Sequence, residues 1–345
     1  MKSLLTIFLS LVFLISGMAQ TVRRVNNIAG VSGTNVYTTA QAAHDAAVAN
    51  DILIIDPSDP SITSYGDLTL TKPLKIYGNG YFLTKNTELK ADQRNSSLGS
   101  VYFNTGSGGS EIYGITASTL YIHGVSYITV SRNNFSNIIL YNTNKVSTTN
   151  TSVSNIVISR NYLSYISESS TPGYTISNVL INNNILNYIS ALNDPRNQSW
   201  VIRHNTITSQ PNTGTVLIAN CVFENNLLTG SGAFNYTGVT FSYNVSTGST
   251  FSIGTGNVNN YDLITNSEIL GSGAGISADE AFQIKAGSAL KTLGSGSTEV
   301  GAFGGTTPYI VSGIPPIPSI TSMVNTGTGD ATTPIKVTIS VKSNN

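Results

Sequence analysis

The chain has 345 residues, of which 17 are basic and 17 acidic, so only 10% are charged, whereas a typical soluble domain carries about 25%. Long amphipathic helices need a charged face, so this composition excludes a helical bundle. The net charge of zero leaves no basic field for a nucleic-acid backbone, and the single cysteine excludes an intrachain disulfide framework. The 32 glycines indicate many turns between short strands.

The first 19 residues have the pattern of a secretion signal. Lys2 precedes an apolar run over residues 4–15, and Gly17 and Ala19 place small residues before a cleavage site at Gln20. The run is shorter than the roughly 20 residues that a membrane-spanning helix needs, and no later segment reaches that length. The sequence therefore predicts an exported protein, secreted or at the cell surface, with no membrane span.

One helix and one buried strand follow. Residues 38–50 are rich in alanine, and Thr38 with Gln41 three residues later has the pattern of a capping box, which predicts a helix over this range. His44 is expected on its surface. The apolar run Ile52–Ile55 ends at an Asp-Pro pair and predicts a buried strand.

An internal repeat organises the rest of the chain. Six segments align without gaps on a shared asparagine, at spacings of 28, 23, 21, 21 and 18 residues. Apolar residues recur five and three positions before the asparagine and two positions after it, and a polar residue recurs three positions after it. The shared asparagines, called the ladder asparagines below, are Asn133, Asn161, Asn184, Asn205, Asn226 and Asn244.

The repeat predicts an all-β solenoid. Period-2 alternation puts the apolar positions before the asparagine on one face of a strand, and the asparagine falls at the following turn. Asparagine tolerates the left-handed conformation of a sharp turn, and its amide can bond the asparagines of the coils above and below. A fixed turn with variable spacing elsewhere predicts one coil per repeat, with the helix as the N-terminal cap.

These features resemble the right-handed parallel β-helix of the pectin-lyase-like superfamily. Residues 73–81 are similar to an early coil of such proteins, and residues 282–304 are similar to the last coil of many secreted members. The resemblance covers residues 36–305 and implies a right-handed parallel β-helix. The superfamily includes lyases, hydrolases, adhesins and inert scaffolds, so the resemblance alone defines no activity.

The chain divides into a signal peptide (1–19), a β-helix with its cap helix (20–305) and a C-terminal extended tail (306–345). The tail is proline-rich, and residues 335–341 alternate as one strand. It is short for an independent domain, so we expect it to dock on the solenoid. The surface that we expect it to cover is the outward column four residues before each ladder asparagine, which is apolar in four successive coils.

The acidic residues give little support for catalysis. Inverting hydrolases of the superfamily need close carboxylates, yet residues 93–261 contain only four acidic residues, and no two are neighbours. A lyase would use Arg132 or Arg160, in the column before the ladder, with Ca²⁺ held by carboxylates such as Asp194. Cross-coil ion pairing, as between Arg203 and Glu224, is the favoured structural explanation for charges near this column.

The remaining candidates are aromatic. Tyr165 and Tyr188 share the column four residues after the ladder, and we expect them to stack, either as ordinary corner packing or as a platform for sugar rings. His204 lies in the arginine column and is a further candidate for substrate binding. The three histidines lie far apart, so we predict no metal site, and Cys221 belongs to an apolar column, so we predict that it is a core residue.

Two functions are consistent with this sequence. The favoured one is a secreted or surface β-helix scaffold that associates with polysaccharide or cell-surface matrix and is not catalytic. The alternative is a polysaccharide lyase that acts on uronate-containing glycans by β-elimination. We predict no cofactor for the scaffold, and Ca²⁺ only for the lyase.

Overall fold

The computed structural model describes residues 20–85, 92–141, 151–169, 175–190, 199–209, 217–230, 235–246, 266–325, 327–329, 332 and 334–344. The predicted signal peptide and Asp194 lie outside the described residues. Within the described part, the chain forms one α-helix, α1 (Ala40–Ala46), and 25 strands. The strands are β1 (Val22–Val25), β2 (Val36–Tyr37), β3 (Ile52–Ile55), β4 (Leu68–Leu70), β5 (Lys75–Tyr77), β6 (Ser96–Ser97), β7 (Val101–Phe103), β8 (Glu111–Tyr113), β9 (Ile115–His123), β10 (Ile128–Ser131), β11 (Asn134–Tyr141), β12 (Val153–Ser159), β13 (Tyr162–Ser169), β14 (Ile176–Asn182), β15 (Ile185–Ser190), β16 (Trp200–Arg203), β17 (Thr206–Ile207), β18 (Leu217–Ala219), β19 (Cys221–Glu224), β20 (Leu227–Leu228), β21 (Asn235–Thr237), β22 (Thr240–Ser242), β23 (Val245–Ser246), β24 (Ser319–Asn325) and β25 (Val337–Lys342). Short 3₁₀ turns lie at Leu83–Lys85, Asn266–Glu268, Glu280–Phe282, Ala289–Lys291 and Val311–Gly313.

The strands stack into two long sheets. The first sheet has eleven strands in the order β2-β1-β3-β5-β8-β10-β12-β14-β16-β19-β22. The second has ten, in the order β4-β7-β9-β11-β13-β15-β17-β20-β23 with β6 also paired to β9. Neighbouring strands in both sheets run parallel, as in the pairs β10–β12 and β11–β13. The fold is a right-handed parallel β-helix, as predicted.

The strand register matches the repeat found in the sequence. Ile156 pairs with Val179 on the next coil, and Trp200 pairs with Cys221. The side chains of the apolar columns point inward and form one buried core, with Val239 partly buried at its end. Burial raises the pKa of the Cys221 thiol to about 12, which keeps it protonated. Cys221 is therefore a core residue, as predicted.

The ladder asparagines form one buried column of hydrogen bonds. The Oδ1 atom of each asparagine after the first accepts from the backbone N–H and from the Nδ2 of the asparagine one coil earlier, at 2.9–3.1 Å. Each Nδ2 also donates to a backbone carbonyl, as Asn184 does to Ile158 at 2.9 Å. All six side chains are at most 1% exposed. This arrangement matches the ladder predicted from the repeat and satisfies its buried polar groups.

The sharp turn at each ladder position is made by the residue before the asparagine, whereas we expected the asparagine itself to adopt the left-handed conformation. A second left-handed column lies six residues before each ladder asparagine. Two single-residue corners therefore enclose each of these strands of the first sheet. The first column is Arg132, Arg160, Asn183, His204, Asn225 and Tyr243, with φ between 51° and 59°, and the second is Tyr127, Asn155, Asn178, Ser199, Asn220 and Gly238, with φ between 48° and 63°.

Helix α1 caps the first coil but is shorter than predicted. It covers Ala40–Ala46, and the side chain of Thr39, one residue later than expected, caps its first turn. Gln41 completes no capping box, because its side chain bonds the backbone of β4. His44 was expected on the surface, but it is 3% exposed and accepts a hydrogen bond from Thr71 N at 3.1 Å. It therefore ties the cap to the solenoid.

The region before the tail does not form a last coil. The described residues 282–304, which resemble such a coil in sequence, form 3₁₀ turns without a strand. They pack on the outside of the last coils, where Leu227 and Val245 meet Ile284 and Leu290. The sequence resemblance is therefore not matched by a further turn of the β-helix.

Residues 295–316 form an irregular segment of bends and turns, called the strap below, which runs along the corner beside the ladder. From its first to its last residue, the strap runs from the later coils back towards the earlier ones. The strap contacts Asn225 first, then Asn183, then Arg160 and finally Arg132. It crosses the predicted boundary between residues 305 and 306.

The strap covers a different outward column from the one that we expected. The column four residues before the ladder stays partly exposed, and Val222 in it is 36% exposed. The strap and the segment before it lie over the column directly after the ladder, where Ile185 and Leu227 are at most 1% exposed. The corner offers backbone and side-chain partners for the strap's own backbone groups, which an alkyl surface cannot provide.

The described chain ends in an antiparallel hairpin. The alternating strand predicted over residues 335–341 corresponds to β25, which pairs with β24 and not with the solenoid. Val337, Ile339 and Val341 on β25 are 51–59% exposed. The hairpin therefore extends from the body of the β-helix, whereas the strap is docked on it.

Candidate functional site

Five tyrosines form a strip along the outer face of the second sheet. Tyr165 and Tyr188 are register partners, and their ring centroids lie 5.1 Å apart with 12° between the planes. Tyr102 and Tyr121 stack in the same way, at 4.9 Å and 3°. Tyr141, on the strand between the two pairs, extends the second of them, with its ring centroid 6.3 Å from that of Tyr121. We call these five residues, which lie on successive strands and are all half-buried, the tyrosine strip.

The two pairs lie on the same outer face but are offset by two residues along the strands, because Ile139 of β11 pairs with Tyr121 on one side and with Ser167, two residues after Tyr165, on the other. The pKa of Tyr141 is raised, first by burial and then by the neighbouring Tyr121 and Tyr165. At one end, the imidazole of His123 stacks on Tyr121 at 5.5 Å and is tilted against Tyr141 at 5.0 Å. Burial and Tyr165 also raise the pKa of Tyr188 at the other end. Both shifts keep Tyr141 and Tyr188 neutral at physiological pH.

Alignment on the ladder asparagines finds one pair of the strip and misses the other three tyrosines. Tyr102 and Tyr121 lie before the first aligned segment, and Tyr141 lies eight residues after Asn133. In the coil before the first asparagine, Ile115 occupies the ladder position, and its N–H donates to Asn133 Oδ1 at 3.0 Å. Extending the repeat upstream to this position would have placed Tyr121 on the second sheet.

A groove with a volume of about 290 Å³ lies beside the strip. It runs along the outer face of the second sheet, and Phe282 closes part of one side. Two of its polar residues directly precede Tyr165 and Tyr188 in the chain, so the groove and the strip adjoin. Part of its polar lining comes from the column three residues after the ladder and comprises Ser136, Ser164, Asn187 and Thr208.

The two arginines considered as catalytic candidates bond the strap. The register of β10 and β12 places Arg132 and Arg160 on adjacent coils. Arg160 Nε donates to Thr307 O at 3.2 Å, and Arg132 Nη1 donates to Ile314 O at 2.9 Å and to Asn344 O at 2.7 Å. Among the described residues, neither arginine forms an ion pair with a carboxylate. Both arginines therefore hold the C-terminal region on the solenoid.

The other charged residues near this corner do not assemble into a cluster. Arg203 and Glu224 are register partners on β16 and β19, but no ion pair joins them in the described part of the chain. The predicted cross-coil juxtaposition is present without the salt bridge. Across the described ranges, no group of three or more histidine, cysteine, aspartate and glutamate side chains could hold a metal ion.

His204 lies beneath the strap. Its imidazole packs against the backbone of Gly304 and Gly305, and a Cβ atom on Gly305 would lie 2.9 Å from its Nε2. Gly305 has a φ of 74°, so glycine meets both a steric and a conformational requirement there. Burial lowers the pKa of His204 to about 4, and the nearby charge of Arg203 lowers it further. A hydrogen bond with the backbone of Glu299 raises the pKa in part.

The low pKa of His204 predicts acid sensitivity. The folded protein keeps His204 neutral down to about pH 4, whereas the unfolded chain takes up the proton near its ordinary value of 6.5. The stabilisation is complete above pH 6.5 and is lost as the pH falls towards 4. After discounting for partial exposure, we expect a loss of about 2 kcal/mol in the free energy of unfolding.

Urea unfolding at pH 7.5, 5.5 and 4.5 would measure this loss for the wild type and for His204→Asn. Asparagine already occupies the same left-handed column at Asn183 and Asn225, so the variant should keep the corner while removing the titration. The difference between the two proteins isolates His204 from the carboxylates that titrate in the same range. An identical pH dependence in both would contradict the prediction.

Within the described part of the chain, no helix has the length and hydropathy needed to span a bilayer. In comparisons with known proteins, no family model matches the chain and no curated protein matches it in sequence. Function is therefore inferred from the tyrosine strip, its groove and the strap.

Proposed function

We propose that this protein is a secreted or surface-exposed β-helix scaffold that binds polysaccharide without cleaving it. The tyrosine strip carries the proposal, because sugar rings have apolar faces that stack on aromatic side chains. The rings of each stacked pair lie on neighbouring strands, about 4.8 Å apart, and the two pairs are offset by two residues along the same face. Two separate stacking sites on one face suit a polymer better than a single sugar.

The adjoining groove supports the same function. Stacking alone does not fix the orientation of a sugar, which needs hydrogen bonds to its hydroxyl groups. Serine and threonine hydroxyls and the asparagine amide can both donate and accept. Ser164 and Asn187 supply such groups at the base of Tyr165 and Tyr188. Polar and aromatic contacts to one glycan chain can therefore form on the same coils.

We also propose that the chain is related to the pectin-lyase-like superfamily. The support is the right-handed parallel β-helix, the buried asparagine ladder and the N-terminal cap helix, which are the features that suggested the resemblance. These features concern the fold and not the reaction. Export through the N-terminal signal is part of the same proposal and rests on residues 1–19 of the sequence.

The position of the arginines favours binding over β-elimination. A lyase of this kind needs a base that faces the substrate beside carboxylates that hold Ca²⁺. In the described part of the chain, Arg132 and Arg160 donate instead to carbonyls of the C-terminal region. Their hydrogen bonds give them a structural role that requires no substrate.

Replacing both Tyr165 and Tyr188 with alanine should weaken binding of a polysaccharide about tenfold, because two stacking contacts are lost. Affinity electrophoresis in gels that contain xylan, galactomannan, hydroxyethyl cellulose or polygalacturonate would measure the change. Tyr77→Ala is the matched control, since Tyr77 stacks on Tyr113 at 5.3 Å on the other sheet. We expect the control to migrate like the wild type.

Two results would contradict the proposed function. One is the absence of retardation by every glycan, or equal retardation of the wild type and the double variant. The other is Ca²⁺-dependent cleavage of polygalacturonate, which would be detected by the absorbance of the unsaturated product. That second result would identify a lyase.

A further inference from the structure

The C-terminal hairpin formed by β24 and β25 separates apolar from polar residues. Residues directly opposite each other on paired strands share a face of the sheet, as do alternate residues along one strand. The register therefore gathers most of the apolar side chains on one face and most of the serine, threonine and lysine side chains on the other. The first of these, called the apolar hairpin face below, consists of Ile320, Met323, Val337, Ile339 and Val341.

The apolar hairpin face is uncovered within the described part of the chain. Its five residues are 43–64% exposed. A two-stranded hairpin is marginally stable in water unless its apolar side packs against something else. Contiguous apolar patches on a protein surface mark interaction sites. This face is therefore a candidate interface.

Hydrogen bonds at the base of the hairpin hold the face in one direction. Asn344, two residues after β25, accepts from Arg132 Nη1 at 2.7 Å through its backbone carbonyl. Its Nδ2 donates to Ile317 O at 2.7 Å and to Ser319 Oγ at 2.6 Å, and both of these residues lie at the start of β24 or just before it. A surface that is fixed in this way loses less conformational entropy on binding than a mobile one.

A groove with a volume of about 350 Å³ continues the apolar surface from the hairpin onto the solenoid. Ile320 and Met323 of the apolar hairpin face line it, and so does Leu83 beside the early coils. Ile317 and Pro318, which directly precede β24, complete this apolar lining. A molecule that packs on the hairpin can therefore also place apolar side chains in the groove.

The chemistry of the apolar hairpin face indicates the kind of partner that it fits. β24 and β25 contain no aromatic and no acidic residue, and their one charged side chain, Lys342, lies on the opposite face. The face thus offers neither rings for stacking on a sugar nor the aromatic anchors of a membrane-surface protein. Its complement is another aliphatic sheet face, since sheets pack face to face through such side chains at about 10 Å.

A second copy of the chain supplies a face of this kind with the same size. The five residues together expose roughly 500 Å² on one copy, so two such faces bury about 1,000 Å², which is the lower limit for a specific interface. A two-fold axis lets each copy present the same surface to the other, and this is the commonest symmetry of protein dimers. The area corresponds to a weak and reversible dimer.

We propose that two copies of this protein associate through their apolar hairpin faces, so that the two hairpins pack as a small β-sandwich around a two-fold axis. Each hairpin then gains the second layer that a two-stranded sheet lacks on its own. The dimer joins the two solenoids beside their early coils, where the groove lies. The proposal rests on the hairpin and stands whether or not the tyrosine strip binds a glycan.

Sedimentation of the full chain at micromolar to millimolar concentrations would test the dimer. We expect a monomer–dimer equilibrium for the wild type. Ile339→Lys should raise the dissociation constant at least about a hundredfold, because both copies would bury a charge at the centre of the interface. Thr338→Lys is the matched control, since it adds the same charge at the next residue, which is exposed on the opposite face. We expect this control to associate like the wild type.

A cross-linking measurement tests the same face without adding a charge. Cys221 is buried, so a cysteine placed on the exposed hairpin is the reactive thiol of the variant. A short bismaleimide should join two Ile339→Cys chains into a covalent dimer and should leave Thr338→Cys monomeric. Absence of this cross-link, or an equal yield at the two positions, would contradict the proposal.

Val222→Lys distinguishes the hairpin from the other exposed apolar surface, the column four residues before the ladder. We expect this variant to dimerise like the wild type. Its failure to associate, a wild type that stays monomeric at every concentration, or equal dissociation of Ile339→Lys and Thr338→Lys would overturn the proposal. Oligomers larger than a dimer would also overturn it, because they require a head-to-tail contact with a different surface.

Discussion

Replacing Asn184 with alanine should reduce the free energy of unfolding by about 3–5 kcal/mol, because several buried groups lose their partners together. Asn184 Oδ1 accepts from the N–H and the Nδ2 of Asn161, at 2.9 and 3.0 Å. Its Nδ2 donates to Ile158 O at 2.9 Å and to Asn205 Oδ1 at 3.0 Å. Alanine can replace none of these bonds, and water cannot reach a position that is 0% exposed.

Asn187→Ala is the matched control for this substitution. Asn187 lies on the same coil three residues later, is exposed and accepts one hydrogen bond, from Thr208 Oγ1 at 2.9 Å. We expect its loss to change the free energy of unfolding by about 0.5 kcal/mol or less. Urea unfolding followed by the fluorescence of Trp200, which is 2% exposed and lies one coil after Asn184, would measure both variants. Equal stability of the two variants would show that the ladder contributes no more than a surface amide.

The ladder could be predicted from sequence because every coil repeats the same requirement. A buried amide in a stack needs another amide above and below it, so the side chain is restricted at each turn. The apolar columns are restricted in the same way by the shared core. These constraints are local to one position in the repeat, and alignment of six segments is sufficient to find them.

The left-handed corners were less visible in the sequence. The column six residues before the ladder contains Asn155, Asn178 and Asn220, which favour that conformation, but also Tyr127 and Ser199, which do not. The column directly before the ladder holds arginine, histidine and tyrosine as well as asparagine. There the turn is imposed by the hydrogen-bonded ladder beside it, so local propensity carries little signal.

The strap could not be placed from the sequence because its contacts join residues far apart in the chain. Composition indicates an extended, proline-rich tail, and we expected it to cover the apolar column four residues before the ladder. The observed path of the strap follows hydrogen-bonding groups at the corner. These groups point outward because the residues that carry them adopt the left-handed conformation. Of the tyrosine strip, only Tyr165 and Tyr188 were predicted. The other three tyrosines were missed because they do not lie four residues after a ladder asparagine.

One buried network fastens the strap to the first coils. Asp279 Oδ2 accepts from the Tyr309 hydroxyl at 3.1 Å and from Ser312 N at 2.7 Å, and the Tyr309 hydroxyl also bonds the Tyr81 hydroxyl. Burial and Asp279 hold the pKa of Tyr81 well above its ordinary range, so it stays protonated as a donor. Gly313 is required beside Tyr81, because a Cβ atom there would lie 2.1 Å from the ring.

Asp279→Ala should therefore destabilise the protein by about 3–5 kcal/mol and release the strap, since Ser312 N and the Tyr309 hydroxyl lose a fully buried acceptor. Tyr309→Phe removes one hydroxyl and should cost less, about 1–2 kcal/mol. Asp59→Ala is the control, because Asp59 accepts from Ser61 N and Oγ at the surface.

Urea unfolding would measure the three variants, and limited proteolysis with mass spectrometry would locate the first cleavage. We expect early cleavage within residues 302–318 for Asp279→Ala and for neither the wild type nor Asp59→Ala, because an undocked extended segment is open to proteases. Release should also uncover Ile185, which is 1% exposed beneath the strap, and increase binding of a hydrophobic dye. Wild-type protease resistance in a folded Asp279→Ala variant would show that contacts along the corner, and not this network, hold the strap in place.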